Sequence, residues 1–164
     1  MASPERDLNS DYVDITRSGD DEVATAVVRD KHELELDEPE WIPGGNDAAP
    51  WPSNYLLVAT AGCQVEVIVQ ALTKARIDDY DIHVHATMDA EDLGDKMPEY
   101  PEHLSWRYTT INMEVTVETP EANEAKMQRL LDIAEDFCMV SRSVERGIEF
   151  DLTKSMELRP GETA

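Results

Sequence analysis

Two blocks of helical periodicity set among short alternating segments predict an α+β domain with the order β-β-β-α-β-β-α-β. Three observations carry that prediction. The run from Tyr55 to Leu72 is apolar or small at almost every position, interrupted only by Thr60, Gln64, Glu66 and Gln70. Period-two alternation marks Asp81–Met88 and Trp106–Glu118, as expected of half-buried strands. Met127, Leu130, Leu131, Ala134, Phe137 and Cys138 recur at the spacing of one helical face.

Taken in order, residues 1–10 are polar and are expected to be a loose tail, as are residues 154–164, leaving one domain over 11–153. Strands are predicted at Tyr12–Arg17, Val23–Arg29 and His32–Leu36, separated by short Ser/Gly/Asp and Asp-Lys turns that suit an antiparallel meander. The following stretch, Asp37–Pro52, holds four prolines, two glycines and two tryptophans. A loop of that length in a compact domain is usually functional. Its Trp41 and Trp51 are candidates either for covering the core edge or for lining a substrate pocket.

Ser53 or Asn54 is expected to cap the central helix, which should run to about Arg76. Being apolar around most of its circumference, this helix needs cover on several sides. One small sheet cannot provide that cover, and a second subunit can, so a homodimer is predicted. Glu66 and two glutamines lie inside the run, which argues for a core helix and against a membrane span. In the next strand Ile82, Val84, Ala86 and Met88 share one face and His83, His85 and Thr87 the other. An acidic excursion, residues 89–102, is read as a solvated loop. It leads to a strand whose Ile111, Met113, Val115 and Val117 should face the core. Thr119 and Pro120 read as the cap and first residue of the second helix. A turn over residues 141–147 and a last strand, Ile148–Leu152, complete the order.

The chain carries 36 acidic against 14 basic residues, a net charge of −22. Such a surface repels nucleic acid and anionic membranes, because phosphate binding relies on clustered Lys and Arg. The acid is read as a solvated shell over a folded core, suited to a halophilic host where salt screens it. The amino terminus has no apolar signal region, so a cytoplasmic location is expected. In that compartment two cysteines are more often reduced, catalytic or inert than a permanent staple. His83 and His85, with His103, lack a placed third ligand and are not read as a metal site. No cofactor is expected.

Residues 44–63, GGNDAAPWPSNYLLVATAGC, resemble the segment of the OsmC and organic hydroperoxide resistance family in which a Gly-rich, Pro-bearing loop opens a hydrophobic helix ending in Ala-Gly-Cys. Residues 134–151, AEDFCMVSRSVERGIEFD, are similar to its second signature, Cys-Pro-x-Ser followed by a turn and strand. The resemblance implies an OsmC-like fold, an intertwined homodimer, and a thiol peroxidase that reduces organic hydroperoxides. Cys63 would be the peroxidatic and Cys138 the resolving cysteine. Recycling would fall to an external dithiol, either a reductant protein or a lipoyl group. The family's Pro is Met139 here, and its Glu at the helix start falls on Ser53 or Asn54. Its activating Arg matches Arg17 or Arg29, with Arg29 preferred because its strand is the better defined.

The chemistry requires a thiolate that attacks peroxide oxygen and a second thiol that closes a disulfide. Burial raises a cysteine's pKa and a nearby guanidinium lowers it. Glu66, one turn after Cys63, is a candidate to hold that Arg in place of the absent Glu. The alternative reading is a non-catalytic OsmC-like module that binds an apolar small molecule or a partner at the dimer interface.

Overall fold

The computed structural model describes residues 12–19, 21–93, 106–120 and 123–147. Three short strands open it: β1 (Val13–Thr16), β2 (Ala24–Val28) and β3 (His32–Leu36). They pair antiparallel in the order β1-β2-β3, with Val13 opposite Val28 and Ala24 opposite Leu36. Arg29 and Asp30, at φ 52° and 54°, make the left-handed turn that a tight hairpin requires between β2 and β3. Among the described residues this small sheet hydrogen-bonds to no strand of the second sheet. Val13 and Ile15 are 50% and 57% exposed on it, and Ala26 is its buried residue.

The loop from Asp37 to Trp51 folds around one carboxylate. Asp37 is 2% exposed, and its Oδ2 accepts the backbone N–H of Asn46 at 2.9 Å and of Ala48 at 3.1 Å. Those bonds pull the loop back onto the end of β3, and Asp37 N donates to Pro50 O. Close approach of the backbone demands Gly45, where an added Cβ would meet Pro39 O at 2.4 Å.

The central helix α1 runs from Pro52 to Lys74. Its cap is Trp51 rather than Ser53 or Asn54. Pro52 occupies the first helical position, where no N–H is needed, and Asn54 Oδ1 accepts from Trp51 N at 3.0 Å. In one chain the helix buries a single stripe: Thr60, Gln64, Ile68, Ala71 and Leu72. Thr60 is satisfied by donating to Leu56 O and Leu57 O. Leu56 continues that stripe toward the amino end but is exposed, and Val58 lies open on the opposite side of the helix. By length and composition α1 is apolar enough to cross a membrane, yet its stripe packs on the helices and strands that follow.

Strands β4 (Asp81–Asp92) and β5 (Trp106–Glu118) form a long antiparallel ribbon, with a register shift at Asp89/Ala90. β4 alternates as expected, with Ile82, Val84, Ala86 and Met88 inward and His83, His85 and Thr87 exposed. It runs beyond Met88 into the start of the acidic excursion. On β5, Ile111, Met113 and Val117 are half-buried, while Val115 is open.

The second helix, α2, spans Glu124–Phe137, and its cap is Asn123, whose side chain accepts from Lys126 N at 3.0 Å. Thr119 is not that cap, because its hydroxyl donates to Asp79 O at 2.8 Å and ties the end of β5 to the loop before β4. Phe137 is 68% exposed and leaves the buried stripe. At Cys138 the backbone turns extended (φ −66°, ψ 101°), and a third helix, α3 (Met139–Arg146), replaces the turn expected there. The predicted last strand, Ile148–Leu152, lies outside the described residues, as do the two tails and residues 94–105.

The core gathers Ile68, Leu72, Ile77 and Ala134, with Tyr80, Ile82, Val117, Met127, Leu130 and Leu131 packed around them. Full burial of side chains such as Ile68 and Leu72 stabilises the fold by about 1.5–3 kcal/mol each. This cluster clamps the carboxyl half of α1 against α2, and so fixes where the two cysteines fall.

Candidate functional site

Cys63 stands near the middle of α1, half-buried; Cys138 stands at the break between α2 and α3, fully buried. The packing of α1 on α2 and α3 brings the two sulfurs into hydrogen-bonding contact, both as free thiols. Because Cys138 is the residue before α3, the unpaired N–H groups of that helix's first turn converge on the sulfurs. The N–H groups of Val140 and Met139 act on Cys63, and those of Ser141 and Val140 on Cys138. The Ser141 hydroxyl lies 3.0 Å from Cys138 Sγ.

These contacts treat the two thiols unequally. Burial pushes the Cys63 thiol up; the Val140 N–H opposes this, while the hydrogen bond and charge of Cys138 add to it, and the net shift is upward. Burial also pushes Cys138 up, but the Ser141 hydroxyl and N–H, the Cys63 thiol and the Val140 N–H outweigh it, so Cys138 is lowered. Within the pair these contacts favour loss of a proton from Cys138 over loss from Cys63. Reach favours the opposite sulfur, since Cys138 is sealed and Cys63 is not.

Met139, where the resemblance had suggested proline, is the first residue of α3. Proline is favoured at that position for its fixed φ; a methionine there keeps the helix start and retains an N–H.

The two candidate arginines are placed differently. Arg17, just past β1, donates to Gly44 O at 2.8 Å and Glu22 O at 3.2 Å, and its Nη1 lies 3.5 Å from Asp37 Oδ1. Asp37 Oδ1 is buried with no hydrogen-bond partner among the described residues; the Ala48, Glu38 and Asn46 N–H groups do most to offset the carboxylate's charge, and Arg17 adds to them. Arg29 sits exposed in the β2–β3 turn. Among the described residues of one chain, no guanidinium is among the groups that shift Cys63. Glu66 is exposed on α1 and forms no ion pair among the described residues. The carboxylate that holds an arginine here is Asp37. The only sequence sign of it was an acid closing a strand just before the Pro/Gly-rich loop. Ser141 was visible as the serine of the Cys-Pro-x-Ser signature that residues 134–151 resemble, with no task attached to it.

Trp51 is half-buried at the start of α1, its Nε1 donating to Asp47 Oδ1 at 2.8 Å, and it lines a shallow depression with Pro50 and Asn54. Trp41 is 67% exposed on the preceding loop. A larger groove of about 860 Å³ opens between α1, β5, α2 and α3. Thr60, Gln64 and Ile68 form one wall, Tyr108 and Met113 another, and Ser141 carries it to the cysteine pair. Among the described residues no three potential metal ligands come together.

A pair of contacting thiols at the meeting point of a long apolar helix and two shorter ones, on a two-sheet α+β scaffold, defines a protein with a paired-cysteine site. The family model described as OsmC-like protein matches residues 44–153. The chain belongs to the OsmC-like family. Protein YhfA of Escherichia coli K12 is similar, at 27% identity over 113 residues, covering 68% of this chain and 75% of that protein. The solved structure of an OsmC-like protein from Mycoplasma pneumoniae matches with a TM-score of 0.63 at 15% identity, over 82% of this chain and 86% of that one. An organic hydroperoxide resistance protein from Elizabethkingia anophelis matches at 0.57 and 17%, over 90% and 92%. At such identities the structural likeness establishes the fold.

Proposed function

We propose that this protein is a thiol-dependent peroxidase that reduces organic hydroperoxides. The observation that carries the proposal is the contact between Cys63 and Cys138, far apart in sequence and joined at the first turn of α3. The Cys63 thiolate attacks one peroxide oxygen: an S–O bond forms, the O–O bond breaks, and the alkoxide leaves with a proton as the alcohol. Cys138 then attacks the sulfenic sulfur, closing a disulfide and releasing water. An external dithiol, a reductant protein or a lipoyl group, returns the pair to the reduced state. The family membership and the naming of some structural neighbours as organic hydroperoxide resistance proteins support this reading.

Activation of Cys63 needs a cation, and among the described residues of one chain none acts on it. Arg17 is the arginine already held in a fixed orientation, by Asp37 and Gly44. It projects from a small sheet that pairs with no strand of the larger one. In an intertwined homodimer that sheet would reach the second copy, cover the open Val58 face of α1 and present Arg17 to a Cys63. The groove, with Tyr108 and Met113 on its wall, favours a substrate with an apolar body. A cytoplasmic location and independence from any bound cofactor belong to the same proposal.

Cys63→Ser should abolish turnover of cumene hydroperoxide by the reduced dimer, and Arg17→Ala should lower it by on the order of a hundredfold. Turnover by Cys63→Ser at the wild-type rate would overturn the assignment. One observation favours the second reading, a non-catalytic binding module: the upward shift of Cys63 in a single chain. Alkylation of Cys63 as a function of pH separates the two. A midpoint below that of a free thiol in the dimer supports the enzyme, and a raised one supports the module.

A further inference from the structure

Ser141 is a residue the reaction sketched above leaves without a task. Its hydroxyl sits 3.0 Å from Cys138 Sγ, it lies three residues along in the first turn of α3, and its own N–H faces the same sulfur. It is half-buried and also lines the groove, so it stands where the cysteine pair meets the cavity. Two further facts limit what it can do. Cys138 is fully buried, and a buried thiolate without donors is strongly disfavoured. The sulfur it must attack belongs to Cys63, which it already contacts.

We infer that Ser141 is the donor that keeps Cys138 ionised for the second half of the reaction, so that the sulfenic acid on Cys63 is captured before another peroxide reaches it. This rests on the peroxidase reading. The step balances: the Cys138 thiolate attacks the Cys63 sulfenic sulfur, the S–S bond forms as the S–O bond breaks, and hydroxide departs and takes a proton to become water. Two electrons have then passed from the two sulfurs to the hydroperoxide. The hydroxyl takes no part in bond making; it hydrogen-bonds to the charged sulfur, and a bond to an ion is about twice as strong as one to a neutral group. The lowered position of Cys138 beside the raised one of Cys63 agrees with this division of labour.

Cys63 contacts the same helical turn through the N–H of Met139 and that of Val140, which it shares with Cys138, and Ser141 is not among the groups that act on it. Removal of the Ser141 hydroxyl should therefore slow closure of the disulfide much more than it slows the first oxidation of Cys63. A general loosening of α3 would impair both.

The test compares S141A with the nearly isosteric pair S141T and S141V, in the full chain, reduced and then mixed with cumene hydroperoxide. Quenched samples are mapped by mass spectrometry for sulfenic acid trapped on Cys63, the Cys63–Cys138 disulfide and Cys63 sulfinic acid. In S141A and S141V, disulfide closure near neutral pH should slow on the order of tenfold, its pH profile should move upward, and sulfinic acid should appear at peroxide doses the wild type survives. S141T should restore the wild-type profile. Equal closure rates and pH profiles for S141T and S141V would overturn the role of the hydroxyl while leaving the peroxidase reading intact. A wild type that is not oxidised at Cys63 at all would overturn both.

Discussion

Oxidation of the cysteine pair should change the stability of the whole fold by an amount set by its topology. Cys63 lies in the central helix and Cys138 at the entrance to α3, so a bond between them closes a loop of about 75 residues. A cross-link of that span removes chain entropy from the unfolded state worth about 4.5 kcal/mol at 25 °C, and any native-state strain subtracts from that figure. The sulfurs already touch in the reduced protein, so the backbone has little distance to move. Net stabilisation of about 2–4.5 kcal/mol is expected, which corresponds to a shift of the urea midpoint of roughly 1–2 M. The assay is urea unfolding followed by circular dichroism. It compares peroxide-treated with dithiothreitol-reduced protein at one fixed concentration, because a dimer's midpoint depends on concentration. Cys63→Ser, treated identically, should show no shift. Coincident midpoints for oxidised and reduced wild type, with the disulfide present by peptide mapping, would refute the loop-closure reasoning. Absence of the disulfide after peroxide treatment would refute the pairing itself.

Three further outcomes follow from other parts of the molecule. Leu72→Ala removes a fully buried side chain from the cluster that seats α1 on α2 and should cost about 2–5 kcal/mol in thermal or urea unfolding. Asp37 is lowered from its ordinary value of 3.8, chiefly by the Ala48 N–H against an opposing cost of burial. Its contribution is thus complete above the unfolded pKa and lost as pH falls through the lower folded value, so Asp37→Asn should flatten the acid limb of a Tm-against-pH curve. The net charge of −22 predicts that the melting temperature rises between low and molar salt; an unchanged circular-dichroism melt would count against an acid shell adapted to salt.

The positions of the strands were legible because period-two alternation is a local signal. Val13–Thr16, Ala24–Val28, His32–Leu36 and Trp106–Glu118 fall within or on the predicted spans. The length of α1 was legible for a similar reason. Its cap was not, since Trp51 has no capping side chain and the start is set by Pro52 and by Asn54 bonding backward. Thr119 looks like a cap in sequence, yet a contact with Asp79, forty residues away, claims its hydroxyl. Phe137 obeys the helical spacing of its neighbours, but the chain breaks at the next residue and the face ends there.

At the site the division is sharper. The sequence alone determined that two cysteines lie on or beside helices in an acidic α+β domain, because residue identity and periodicity are written in the chain. Only the tertiary structure decided that their sulfurs meet, that Ser141 and the first turn of α3 face Cys138, and that Asp37 pairs with Arg17. Each of these is a meeting of groups far apart in the chain or a hydrogen bond made at a helix start, and neither leaves a periodic trace. They arise from how α1 is seated against α2 and how the loop after β3 folds back on itself.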